Sequence, residues 1–553
     1  MIACASPNGA PCDIKTNAAE IMRLIKSLPE AEIILFPRLA LSSASCGDLF
    51  LQKALIIACE NALKDILKTV GDKLVVLGLP VEYGKGNLLD LAAVLHSGKI
   101  LRFVPLKNPK YPFSQDFPNS LNGIALSDEP FMFKGKRIFV GRLGDENSIS
   151  LIPSDKPYLA GDDISVYDWL KNTSKNKVVA LAQAGVAESG TDYCFGGICG
   201  VGENGRIKAY RRAFSKEDHC ISQTDVDIDI PKSECFLDQK TPYLQGDKLQ
   251  VLEDFIRIPA QALALRLKRI GSKNMVLGLS GGLDSTIALL IAAEARKILS
   301  LDKSSLHIYT LPAQGTGKKT LSNADMLCSA LDIPLNTINI SNAVKNHLRD
   351  IGHSGLEDAA FENAQARERT QILMDISNMV NGIMIGTGDM SELALGFTTY
   401  GGDHMSMYSV NSGLLKTMIR MAVWQLATNK KELSKALFSV LNTPISPELK
   451  SGVQHTEEIL GPYILNDFFL YYVLKGFAPD EIISLAVPTF NGDYTKDILI
   501  KRLKFFYKRF FTNQFKRSCL PDGPRVWEYS LSPREGFKMP SDARANIFTD
   551  LLN

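Results

Sequence analysis

The segment Leu277-Gly-Leu-Ser280-Gly281-Gly282-Leu-Asp284-Ser285-Thr286 constrains this chain more than any other. A short apolar run, Met275 to Leu279, feeds a glycine-rich turn, and apolar residues then recur at helical spacing from Thr286 to Leu299. Strand, turn and helix in that order present backbone amides to an anion. Gly281 and Gly282 allow close approach, Ser280 and Ser285 add hydroxyl donors, and the positive end of the helix favours negative charge at the same place. The loop is built for phosphate.

The common nucleotide loop ends in Gly-Lys-Ser/Thr, and no lysine stands here. Ser-Gly-Gly-Leu-Asp-Ser instead resembles the pyrophosphate loop of enzymes that split ATP into AMP and pyrophosphate while activating a carbonyl or carboxylate oxygen as an adenylate. With 553 residues the chain should hold two or more domains. A net charge of +2 without blocks of like charge argues against a nucleic-acid surface or a polybasic membrane patch, so small molecules are the expected partners. Ten cysteines lie without a close metal spacing, Cys194 and Cys199 being too far apart for a zinc knuckle, and disulfides are not expected. No basic leader opens the chain and no apolar run reaches membrane-crossing length, so a cytoplasmic location is the expectation.

Residues 1–215 alternate strand-like runs with helical stretches, an α/β layered pattern: Ile2 to Ser6, Glu32 to Phe36, Leu74 to Leu79, Ala92 to His96, Ile138 to Gly141 and Val178 to Ala182. Residues 216–246 turn polar and irregular and read as a connection. From 247 to 553 a long amphipathic helix precedes the phosphate loop, and strands follow at His307 to Leu311, Thr337 to Ile340 and Gly382 to Ile385. This half reads as a doubly wound parallel sheet, whose ligands gather at the carboxyl ends of its strands.

Three further segments fit such a site. Leu311 to Ala324 brings glycines, hydroxyls, Lys318 and Lys319 into one loop. Phe361 to Met374 opens a helix on which Glu362 and Arg367 are predicted to face a ligand, while Ile372, Leu373 and Ile376 face the core. Ile385-Gly-Thr387-Gly-Asp389-Met-Ser-Glu392, running on to Asp403, repeats the order of strand, glycine turn and helix start. It sets Asp389, Glu392 and Asp403 where magnesium triphosphate needs hard oxygen ligands.

Together with Lys416-Thr and Phe515-Lys516-Arg517-Ser-Cys-Leu-Pro-Asp-Gly-Pro, these segments resemble the synthetase domain of the two-domain NAD synthetases over residues 247 to 553. The resemblance implies an ATP-pyrophosphatase fold, related to the adenine nucleotide alpha hydrolases. It also implies ATP-dependent amidation of nicotinic acid adenine dinucleotide: the carboxylate attacks the α-phosphorus, pyrophosphate leaves, and ammonia displaces AMP to give NAD. Carried onto this chain, Ser280, Gly281, Gly282, Asp284 and Ser285 hold pyrophosphate. Asp284 and Glu392 ligate magnesium, and Thr387 lies on the ATP side. Arg367, Asp403, Lys416, Lys516 and Arg517 surround the dinucleotide and the reacting phosphates, with Asp284, Glu392 and Lys416 as the catalytic set. Such chemistry needs charge neutralisation, alignment and exclusion of water rather than a nucleophilic side chain. A homo-oligomer is also implied.

Residues 1 to 215 resemble the nitrilase-like glutaminase domain that precedes the synthetase in this family, through Ala31-Glu-Ile-Ile-Leu-Phe-Pro-Arg38, Cys46-Gly-Asp-Leu-Phe, Ala187-Glu-Ser-Gly-Thr-Asp and Gly202-Glu-Asn-Gly. That domain works through a glutamate base, a lysine and a cysteine nucleophile. The matching positions here carry Arg38, Leu106 and Leu143. Arginine cannot take a proton from a thiol, leucine offers neither an oxyanion partner nor a nucleophile, and the nearest cations are Lys107 and Lys110. The expectation is an inactive glutaminase domain with free ammonia as nitrogen donor. Alternatives are ammonia from a separate glutaminase subunit, a shifted site built from Cys46 or Cys59 with Glu146, or a nucleotide-sensing pseudoenzyme. A tRNA-modifying relative is disfavoured because the chain has no zinc-ligand pairs and no basic stripe.

Overall fold

Alternate residues of the strand Leu74–Tyr83 go to opposite layers in the computed structural model. Leu74 and Val76 pack with Ile138, Val140, Leu151, Ala180 and Val201, between two sheets. Val75, Leu77 and Leu79 pack with Ile21, Leu24, Ile56 and Leu63 of the helices Ile14–Ser27 and Lys53–Leu67. A strand apolar on both faces belongs inside a layered stack, and its near-continuous hydrophobic run follows from that. On the other side, Tyr167 and Leu170 of the helix Asp162–Thr173 cover Val179 and Ile207. The layers are therefore helix, sheet, sheet, helix.

The structure describes residues 1–84, 86–224, 226–313, 317–446, 449 and 455–552. The chain divides into one unit of Met1–Ser189 with Cys194–Lys232 and another of Gly190–Tyr193 with Ser233–Asn553. In the first unit one six-stranded sheet runs in the order His219–Ile221, Ile2–Ala5, Ile33–Leu35, Leu74–Tyr83, Asn87–His96, Lys99–Pro105. The other runs Arg206–Arg211, Cys199–Glu203, Val178–Gln183, Ile149–Ser154, Lys136–Val140, Phe131–Phe133. The strand-like runs read from the sequence are all present, and several strands are additional. One pair of these, Cys199–Glu203 and Arg206–Arg211, flanks Asn204-Gly205, both at positive φ, the turn chemistry of a tight hairpin.

The connection expected at 216–246 starts later. His219–Ile221 pairs antiparallel with Ile2–Ala5, Cys4 opposite Cys220, which carries the first unit on to Lys232. A three-residue edge strand is too short to show a period.

The second unit holds a five-stranded, all-parallel sheet in the order Leu335–Thr337, Leu306–Thr310, Asn274–Gly278, Gly382–Gly386, Tyr408–Ser409. The chain builds outward from Asn274–Gly278 in one direction, then returns to add Gly382–Gly386 on its other side. The direction reverses between these two neighbours, and the loops leaving their carboxyl ends diverge to leave a crevice. Asp247 accepts from Gln250 N and caps the predicted long helix, Lys248–Ile270. The strand predicted at Thr337 to Ile340 lies slightly earlier, at Leu335–Thr337. Among the described residues no helix is long and apolar enough to cross a membrane.

Candidate active site

The crevice at that reversal is a cavity of about 570 Å³. Its walls include Ser280, Gly282, Asp284, Ser285, Thr387, Glu392 and Asp403. Gly281 sits behind the surface, with φ +85° and so little room that a Cβ would run into the Thr320 carbonyl. Only glycine satisfies both conditions. Ser280 and Ser285 hydroxyls lie 3.0 Å apart, and Ser285 Oγ also reaches the Gly282 carbonyl at 3.2 Å. The helix Leu283–Ile298 begins at this point, so Asp284 and Ser285 belong to its first turn rather than to the loop.

Two helix starts supply the acids. Asp284 belongs to the first turn of Leu283–Ile298; Asp389 caps Met390–Leu395 by accepting from Glu392 N at 2.9 Å. Asp284, Asp389 and Glu392 bring carboxylate oxygens within 4.8 Å of one another. Lys416, at the start of Lys416–Asn429, inserts its ammonium among them, with Nζ 2.7 Å from Asp284, 2.6 Å from Asp389 and 2.9 Å from Glu392. Burial works against the Lys416 charge, but the three carboxylates outweigh it and raise its pKa. Burial likewise raises Asp389 and pushes Glu392 up to about 7, against the pull of Lys416. Three acids face one ammonium, and Asp284 Oδ1 is buried without a hydrogen-bond partner. That donor set of hard oxygens, two negative charges in excess when ionised, fits a divalent cation such as magnesium.

Asn411 ties the two strand-end loops together. Its Nδ2 donates to the carbonyls of Asp284 at 3.0 Å and Thr387 at 2.9 Å. Nothing in the sequence around it, Tyr-Ser-Val-Asn, announces this bridge.

The helix Ala359–Met379 contributes Glu362, Ala366, Arg369, Thr370 and Leu373 to the wall. Arg367 is exposed, lies outside this wall and donates to the Tyr400 carbonyl at 3.1 Å, so Arg369 rather than Arg367 stands with Glu362 on the cavity side. Helical phasing explains the difference: residues seven apart nearly eclipse, so Glu362 and Arg369 share a face, whereas residues five apart do not. Leu373 is buried as predicted, though it also lines the cavity, and Ile372 and Ile376 pack in the core.

The C-terminal cations also stand apart from the cavity surface. Lys516 Nζ donates to the carbonyls of Gly396 and Thr398, each at 2.7 Å, and so braces a turn that lines the cavity. Arg517 is a correction: its guanidinium is 2% exposed, donates to the carbonyls of Leu393, Ala394 and Phe510, and is pushed down to about 9 by burial. It holds chain ends together and has no donor to offer a ligand there. Asp403 does line the cavity, accepts from Thr399 N at 2.7 Å and is raised by burial. Within Leu311 to Ala324, residues 314–316 lie outside the described residues. Lys318 and Lys319 are exposed, and Lys319 donates to the Asn442 carbonyl at 3.0 Å.

In the first unit Arg38 sits among acids. Its Nε donates to Asp90 at 2.5 Å, its Nη1 donates to the Lys107 carbonyl at 3.2 Å, and Asp155 lies 3.9 Å away. Lys110 stands 3.4 Å from Asp155. Burial pushes Asp90 up to about 7 even beside the guanidinium. Leu106 is buried and so close to Gly141 that a Cβ there would strike its methyl, whereas Leu143 is 41% exposed. The shifted site does not assemble from its named members. Cys46 and Cys59 are buried thiols pushed up to about 12 by burial, while Glu146 is exposed and bonded to Asn176 at 3.1 Å. The nearer acid, Glu188, is already held by Ala44 N and Ser45 N, each at 2.8 Å. None of the ten cysteines forms a disulfide.

The NAD synthase family model matches residues 256–509. Over 97% of this chain and 95% of the relative, the sequence is 31% identical to a glutamine-dependent NAD(+) synthetase of Mycobacterium leprae. The fold is similar to that of a glutamine-dependent NAD(+) synthetase from Cytophaga hutchinsonii, with a TM-score of 0.82 at 18% identity, covering 100% of this chain and 99% of the other. A second similar structure, from Acinetobacter baumannii and in complex with ADP, gives a TM-score of 0.67 at 20% identity over 97% of both chains.

Proposed function

Because this chain belongs to the family of two-domain NAD synthetases, we propose that its second unit amidates nicotinic acid adenine dinucleotide through an adenylate, with free ammonia as the nitrogen donor. The enzyme is a ligase that forms a carbon–nitrogen bond at the expense of ATP. The observation that carries the adenylate reading is the meeting, in one cavity, of a glycine-rich loop with Asp284 and Glu392, which together with the buried Asp389 behind them are left undercompensated by a single lysine.

In this reading the residues divide their work by position. Ser280, Ser285 and the amides opening Leu283–Ile298 hold the β- and γ-phosphates, which depart together as pyrophosphate. Asp284, Asp389 and Glu392 would hold magnesium, which supplies neutralising charge for the triphosphate. The substrate carboxylate oxygen forms a bond to the α-phosphorus as the bond to pyrophosphate breaks; ammonia then bonds to the acyl carbon, AMP leaves with its bonding pair, and the added nitrogen sheds a proton to solvent. Lys416, buried behind the cavity wall, holds the three acids together and offsets part of their charge, while Leu373, Met384 and Ile385 wall off water from the labile anhydride. Arg369 is the added candidate for contact with nucleotide, and Arg367 is set aside within this chain.

The first unit is read as a glutaminase scaffold without its chemistry. Arg38, Leu106 and Leu143 stand at the base, lysine and nucleophile positions, and the cations and acids around Arg38 neutralise one another. The scaffold is taken as Met1–Ser189 with Cys194–Lys232 and the synthetase as Gly190–Tyr193 with Ser233–Asn553, against expected limits of 1–215 and 247–553 joined by 216–246.

Purified protein given ATP and nicotinic acid adenine dinucleotide should form NAD and AMP in equal amounts with ammonium. Glutamine should support at most about 1% of that rate, a difference of about 2.7 kcal/mol in barrier. Comparable rates with the two donors, or glutamate released in step with NAD, would sink the ammonia reading. NAD formation without AMP would sink the adenylate.

A further inference from the structure

We propose that Asp467 is a positioning residue of the ligase site, tying the helix that carries Glu392 to the helix that carries Lys416; this rests on reading the second unit as that site. Asp467 lies in Tyr463–Leu474, is fully buried, and divides its two carboxylate oxygens between two helix starts. One oxygen accepts from Ser391 Oγ at 2.5 Å, in the first turn of Met390–Leu395. The other accepts from Thr417 N at 3.1 Å and Thr417 Oγ1 at 2.7 Å, in the first turn of Lys416–Asn429. Ser391 Oγ in turn accepts from Lys416 N at 2.9 Å, so an unbroken line of hydrogen bonds runs from Asp467 to the backbone of the lysine. Tyr243 and Thr417 hydroxyls, 2.6 Å apart, close the network from the far side.

The arrangement answers a physical need. Lysine is a flexible point charge, and holding its ammonium against three acids costs rotamer freedom. Fixing the backbone of Lys416 relative to Glu392 leaves the side chain fewer places to go. A buried carboxylate is itself costly unless hydrogen bonds satisfy it, and Asp467 accepts three of them from the elements it joins. Tyr463, one turn earlier on the same helix, lays its ring 5.1 Å from Lys416 Nζ, so one helix face steadies both ends of that side chain. Neither Asp467 nor Tyr463 lines the cavity, which makes both positioning groups rather than groups that touch substrate.

The test compares the full chain with Asp467→Asn, Ser391→Ala and the double variant. Hydrogen exchange at the amides of residues 415–418 is read by mass spectrometry beside ammonium-dependent kinetics. For a folded Asp467→Asn, kcat should fall about 10- to 100-fold while KM for ATP stays within about threefold, because the loss lies in alignment rather than nucleotide binding. Ser391→Ala should cost about 3- to 10-fold, and the double variant should be no worse than Asp467→Asn, since both cut one line of bonds. Exchange at 415–418 should quicken at least about tenfold in each variant while distant helices keep their protection. The proposal is overturned by multiplicative effects, by a kcat within about twofold of the parent in folded Asp467→Asn, or by unchanged exchange. If Asp467→Asn does not fold, Ser391→Ala decides by the same two readings. A parent without turnover would count against the function assigned to the unit, and the exchange reading would still judge the tie.

Discussion

Each unit holds a cluster of opposite charges, and the two clusters differ in their balance. Around Arg38 the guanidinium and Lys110 face Asp90 and Asp155, so the positive and negative groups match. Around Lys416 one ammonium faces Asp284, Asp389 and Glu392, and the acids are in excess. A balanced cluster satisfies itself and can stay closed. An unbalanced one beside a cavity is stable only with further positive charge or with some of its acids protonated, which is the condition for recruiting a cation. What distinguishes a site from a structural ion pair here is therefore the residual charge rather than the presence of buried charge.

The comparison breaks most visibly if the excess is removed. Asp284→Ala should lower kcat/KM for NAD formation about 1000-fold, roughly 4 kcal/mol, and abolish tight binding of manganese followed by electron paramagnetic resonance. Retention of both would mean that the acid cluster is structural.

Next in size is an attempt to place a base where the proposed scaffold has Arg38. Arg38→Glu places a third carboxylate beside Asp90 and Asp155, so it should cost about 3 kcal/mol of stability in the first unit, seen by chemical denaturation, without creating glutaminase activity. Glutamate release by this variant would show that the pocket needs only its base.

Acid dependence sharpens the contrast further. Asp90 loses its proton in the ordinary carboxylate range when unfolded and at about 7 when folded. Between these limits only the folded chain keeps the proton, so stability falls as pH rises, by up to about 1.4 kcal/mol per pH unit, and levels off above about 7. Asp90→Asn should flatten that slope in melts recorded between pH 4 and 8. An unchanged slope would assign the titration elsewhere.

The smallest effect concerns the helix face that phasing selects. Arg369→Ala should raise KM for ATP about tenfold, near 1.4 kcal/mol, with kcat nearly constant. A fall confined to kcat would move Arg369 from binding to the reacting phosphates.

Much of the second unit could be read without coordinates because its signals are local. A glycine that must adopt positive φ at 281, an Asp that caps at 389 and apolar runs of strand length each act within a few residues of themselves. Arg369 was overlooked, although the period that sets it on the face of Glu362 is also local. Arg517 was misread for a different reason: a cationic segment looks the same whether its guanidinium meets a ligand or fills three carbonyls of its own chain. In the first unit, Arg38, Leu106 and Leu143 are visible in the letters, while the partners of Arg38 lie 52 and 117 positions away in sequence and carry no mark of it.

By itself the sequence determined the phosphate loop, the order of strands and helices around it, and the residue types at the positions that matter, because these depend on backbone geometry and side-chain chemistry that each residue carries with it. Only the tertiary structure decided that Lys416 stands among Asp284, Asp389 and Glu392, that Asn411 joins Asp284 to Thr387, and that Asp467 bonds to the starts of two helices. Those contacts arise where the parallel sheet reverses its winding and brings distant strand ends together, and charge balance is a property of such a meeting rather than of any segment that takes part in it.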